Sequence, residues 1–113
     1  MTVREMIHEI QVEVRDTDLL PDRAAELLNK LTALLGNIND EIREADHDYA
    51  CLLLEHLETE AKANRAKIKA ETSQFYMRKR EARDVKELAL EMIRSLKYYL
   101  RAKEEELRLA SHQ

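Results

Sequence analysis

Apolar residues along this chain recur on steps of three and four, the spacing of one face of a helix, and nowhere hold the strict alternation of a strand. Val3, Met6, Ile7, Ile10 and Val14 lie on one such stripe, which predicts a short amphipathic helix from about 3 to 15. Thr2 and Glu5 before it have the spacing of a capping box, in which hydroxyl and carboxylate each satisfy an amide left over at a helix start. Asp16-Thr17-Asp18 ends this helix, and Pro21 suits the first turn of the next, where its missing N–H costs nothing.

From Pro21 the stripe Ala24, Leu27, Leu31, Leu34, Ile38, Ile42, Ala45, Tyr49, Leu52 forms a heptad-like seam with one stutter near Ile42. Gly36-Asn37 could interrupt it or cap it, and the continuity of the stripe favours an unbroken helix from 21 to about 71. Beyond Leu57 the seam thins to Ala63, Ala66 and Ala70, which bury little apolar area. Thr72-Ser73-Gln74 carries turn and N-cap chemistry. After it Ala82, Val85, Leu88, Ala89, Met92, Ile93, Leu96, Tyr99, Leu100 and Leu107 form a broad stripe on a helix from about 74 to 110. Two long helices joined so briefly lie antiparallel. With the bend at 72–73, residues whose numbers total about 145 sit level: Tyr49 near Leu96, Ala45 near Leu100, Ile38 near Leu107. The expected fold is all-α, a long coiled-coil-like hairpin closed into a three-helix bundle by the N-terminal helix over Leu27 to Leu35. Exchange of helices between two chains would keep nearly the same contacts.

Composition narrows this picture without redirecting it. The 113 residues make one domain's worth of chain, and 37% charged residues with a single Gly and a single Pro fit long helices. Cys51 is the only cysteine, so no intramolecular disulfide and no thiolate cluster can form within one chain. No apolar run approaches a membrane span, and MTVREMIHEIQVEV has acids where a signal peptide has a basic start. The expectation is a soluble, unprocessed protein of a reducing cytoplasm.

Charge is where the sequence first suggests a function. Residues 62 to 86 hold nine Lys or Arg against three acids, while the rest of the chain holds ten bases and twenty acids. In the hairpin this predicts a basic tip on an acidic body. Lys67, Lys69, Arg78, Lys79, Arg80 and Arg83 would neutralise phosphates and Tyr76 would stack on an unpaired base, so DNA or RNA is one expected partner. The same cations could instead be solvated charges at a coiled-coil end, or meet an acidic protein. The densest acids, Asp40, Glu41, Glu44, Asp46 and Asp48, could act as a phosphate mimic toward a nucleic-acid-binding protein, or simply face water.

No catalytic constellation stands out. Glu5/His8 and Glu44/His47 have the Glu-x-x-His spacing of dimetal carboxylate bundles, but both pairs point away from the apolar stripes, so no metal and no cofactor are expected. His56 falls on the seam, as a register-setting polar residue does. Cys51 adjoins no base in sequence and reads as a small helical filler. Leu54, Leu90 and Tyr98 point away from their seams, and with Leu54 and Leu90 almost level they predict an apolar patch and a homo-oligomer.

The segment EMIRSLKYYLRAKEEELRLA, with the Arg-rich approach to Val85, resembles the C-terminal end of small all-helical proteins from the early regions of tailed bacteriophages. The resemblance covers roughly the last 45 residues and rests on helical composition and the Arg-Ser-Leu-Lys-Tyr-Tyr run. It implies a phage accessory protein acting in the bacterial cytoplasm. Together these readings give a non-enzymatic protein that binds in recombination or replication, or else an inhibitor or adaptor directed at a host defence or nucleic-acid-processing protein.

Overall fold

The computed structural model describes residues 1–112. It is all-α, with four helices in the order α1 (Val3–Asp16), α2 (Pro21–Thr59), α3 (Ala63–Glu71) and α4 (Gln74–Ser111). Thr2 caps α1, its hydroxyl accepting from the Glu5 amide at 3.1 Å. α2 runs through Gly36 without a break. An added Cβ there would meet nothing within 4 Å, so this glycine serves neither a turn nor a close approach. Among the described residues no helix is long and apolar enough to cross a membrane.

The chain forms two compact units where a single domain was expected: Met1–Gly36 with the chain from Glu87 onward, and Asn37–Lys86. The first is built on large aliphatic side chains. Val3, Ile7 and Ile10 of α1, Leu27, Leu31 and Leu34 of α2, and Met92, Ile93 and Leu96 of α4 are all buried there. Two polar contacts fasten the α1–α2 connection. The Tyr99 hydroxyl donates to the Leu19 carbonyl. The Arg23 guanidinium donates through Nε and Nη2 to the two Glu13 carboxylate oxygens at 2.6 and 2.8 Å.

That paired geometry, mainly the hydrogen bond from Arg23, holds the Glu13 carboxyl below the usual glutamate range. A carboxyl whose folded value is depressed stabilises the fold above its unfolded value, near 4.3, and loses that contribution as pH falls through the folded value. Glu13→Gln should therefore lower the urea midpoint at pH 7, and the difference between wild type and variant should shrink at an acidic pH below the usual glutamate range. Equal midpoints at both pH values would show that the pair contributes nothing.

In the second unit the structure departs from the expected register. Tyr49 packs on Tyr76 with ring centroids 5.5 Å apart, Arg78 reaches Asp48 at 2.9 Å, and Arg83 reaches Asp46 at 2.7 Å. Positions rise along α4 as they fall along α2, and the paired numbers total between about 122 and 129 instead of 145. The chain therefore reverses at Glu60-Ala61-Lys62, and Thr72-Ser73 is a junction between consecutive helices. Ser73 still caps α4, its hydroxyl accepting from the Tyr76 amide at 3.3 Å. Tyr49, expected beside Leu96, sits instead on Tyr76.

The expected unbroken helix to about 71 is thus wrong at residues with good helix propensity. Lys62 is extended (φ −120°, ψ 129°), and the Thr59 hydroxyl bonds back to the Glu55 and His56 carbonyls, a competition that weakens a helix end. Folding back at this point buries Ala66 and Ala70 of α3. Ala63 is the first residue of α3, and the extended backbone of Lys62 is what a following proline requires. Ala63→Pro should stay within about 0.5 kcal/mol of wild type in urea denaturation. In the interior of a continuous helix it would cost about 3 kcal/mol.

The new register also explains the end of α4. Leu107, expected level with Ile38, is 71% exposed. Tyr99 and Lys103 already lie beside Leu20 and Pro21 at the start of α2, so the last turns of α4 run past their partner, and residues 104 to 112 are exposed throughout.

Candidate functional site

The cations of residues 62–86 lie in the second unit, and four of the nine face that unit's own acids. Arg78 is clamped between Asp48 at 2.9 Å and Glu44 at 3.5 Å, Arg83 holds Asp46, Lys69 bonds Glu60, and Lys67 stands 4.0 Å from Glu71. Asp46 and Asp48 lie on opposite flanks of Tyr49 on the α2 wheel. Arg83 and Arg78 therefore straddle the seam and mark its register. The expected separation into a basic tip and an acidic body does not occur at these residues. Asn37–Lys86 holds ten bases and eleven acids, so the unit is close to neutral.

The aromatic groups are engaged in the same way. One face of Tyr76 meets Tyr49, and the Arg80 guanidinium lies 6.0 Å from its ring centre. The Lys79 ammonium stands 4.5 Å over Tyr49. Burial pushes the Tyr49 phenol up, with Glu71 adding to the shift, so it stays neutral. At the reversal the hydrogen bond from Lys69 holds Glu60 below the usual glutamate range, with Arg65 and His56 acting in the same direction. Asp40 pairs with Arg43, which leaves Glu41 as the exposed remainder of the acidic patch.

The apolar surface differs from expectation in one member. Leu54 is 58% exposed and Tyr98 78%, but Leu90 is half-buried. The register that made Leu54 and Leu90 level no longer applies. On α2 the exposed apolar positions around Leu54 are instead Ala50 and Leu57, which with Leu54 are spaced four and three apart on a side away from the buried seam.

Beside that strip stands a pair that the sequence reading passed over. Cys51, expected as a filler, is exposed, and its Sγ lies 3.6 Å from His47 Nε2. The i, i+4 spacing was the available signal: it puts His47 one turn below Cys51 on the same face. Among the described residues no three His, Cys, Asp or Glu side chains are gathered as a metal site.

No protein-family model, curated protein or solved structure matches this chain.

Proposed function

We propose that this chain is a non-enzymatic helical protein that works by contact with other protein, and that its first contact is a second copy of itself through the outer strip of α2. One observation carries the reading: Leu54, a large apolar side chain on a second helical stripe, is more than half exposed, while the cations and Tyr76 that would meet nucleic acid are engaged within their own unit. A strip of helical positions spaced four and three apart is what a partner helix takes up. A phosphate backbone would have to compete with Glu44, Asp46, Asp48 and Glu60 for Lys69, Arg78 and Arg83. Inhibitor or adaptor roles toward a host protein are extensions of the same reading, since they need the same kind of surface.

Sedimentation velocity across protein concentration tests it. Wild type should associate as concentration rises, and Leu54→Glu should remain monomeric with unchanged helical circular dichroism. A wild type that stays monomeric in every condition, or a Leu54→Glu variant that associates equally well, would overturn the proposal.

A further inference from the structure

We propose that the outer strip of α2 docks on the outer face of α4 of a second copy, around that copy's Tyr98. This rests on the α2 strip being the contact surface, and it names the face that the strip meets. On α4, Tyr98, Ala102 and Leu109 fall on one stripe, four and seven residues apart, and all three are exposed, Tyr98 and Leu109 by more than half. The buried residues Met92, Ile93 and Leu96 lie on the other side of the same helix. Like α2, α4 therefore carries a second apolar stripe turned away from its own core.

Charge decides which stripe meets which. Leu54 and Leu57 are flanked by Glu55 and Glu58, both exposed and neither in an ion pair among the described residues. The α4 stripe is flanked by Arg94, Lys97, Arg101 and Arg108. Arg94 holds Glu91 at 2.5 Å and Arg108 holds Glu105 at 2.6 Å. Lys97 and Arg101, one turn apart and both exposed, form no ion pair among the described residues. Two α2 strips laid together would bring free acids against free acids, and two α4 faces would bring cations against cations. Only α2 against α4 sets opposite charges beside each other, so the contact is heterologous.

The free charges sit close to the apolar centre of each face. Glu58 is one helical turn from Leu54, Lys97 adjoins Tyr98, and Arg101 follows it by three residues. Exposed ion pairs contribute little each and are screened by salt, so here they select the partner face while Leu54 and Tyr98 supply the buried area. Two free cations beside an apolar stripe suit a protein face better than a phosphate backbone, which needs several neutralised charges for a firm grip.

The test is complementation between two defective full-length chains, read by sedimentation velocity. One carries Leu54→Glu and keeps its α4 face; the other carries Lys97→Glu with Arg101→Glu and keeps its α2 strip. Each alone should stay monomeric where wild type associates, with its helical signal intact. Mixed in equal amounts they should form a pair held by the one undamaged contact. Wild type, with no substitution at all, should associate less as salt is raised, whereas an α2-on-α2 contact between acidic flanks would strengthen. If the α4 variant associates like wild type, if the mixture stays monomeric, or if salt strengthens the wild-type assembly, the α4 face is not the partner, and loss of association by Leu54→Glu would still leave the α2 contact standing. A wild type that is monomeric at every concentration and salt would overturn both.

Discussion

Leu31→Ala should cost about 3 kcal/mol and lower the melting temperature by roughly 10 to 20 °C. Leu31 is fully buried in the unit made by α1, the first part of α2 and the last part of α4, where Leu27 and Ile7 are buried to the same degree. Truncation removes the transfer free energy of the lost carbons and leaves a cavity that neighbours on three helices cannot all close. The control is Leu107→Ala. Sequence periodicity puts Leu107 in the seam like Leu31, yet it stands 71% exposed, and its replacement should change stability by no more than about 0.5 kcal/mol. Urea denaturation of the two variants separates these positions, and equal losses would contradict the register.

Tyr49→Ala should be comparably damaging in the other unit, at about 3 kcal/mol. Among the described residues of that unit, Ile38 and Tyr49 are the only large side chains in a core otherwise made of Ala45, Ala66, Ala70 and Ala82. Alanines let backbones approach but bury little area, so the ring of Tyr49 supplies much of what holds α4 there. It also supplies the surface on which Tyr76 and Lys79 rest. Tyr49→Phe keeps the ring and should stay within about 1.5 kcal/mol of wild type. A Tyr49→Ala variant as stable as wild type would mean that the ion pairs alone hold the register, which exposed pairs worth up to about 1 kcal/mol each cannot do.

Much of the architecture was legible because periodicity alone reports which residues share a helical face. The α1 stripe, its Thr2 cap, continuity through Gly36 and the large residues of the seam all follow from it. The reversal did not. Glu60, Ala61 and Lys62 are good helix formers, while Thr72 and Ser73 look like a turn, so local chemistry pointed to the wrong break. What decides is tertiary: Arg78 and Arg83 meet Asp48 and Asp46 only if the chain folds back early. Moving the turn by about ten residues moved the cross-helix pairings by about twenty, as in Tyr49, which meets Tyr76 and not Leu96. It also made the basic segment look like a free tip, when its partners lie in the acids of α2. Cys51 was misread for a smaller reason, because a neighbour four residues away in sequence is a side-chain neighbour on a helix.

The most direct measurement is fluorescence anisotropy of single- and double-stranded oligonucleotides titrated with the wild-type chain across a salt series. Cations held by carboxylates and aromatic rings of their own unit predict no binding in the micromolar range, and only a small salt dependence for any weak association. Micromolar or tighter binding that weakens steeply with salt would show residues 62–86 exchanging Glu44, Asp46 and Asp48 for phosphates, and would contradict the reading of this segment as an internally paired seam.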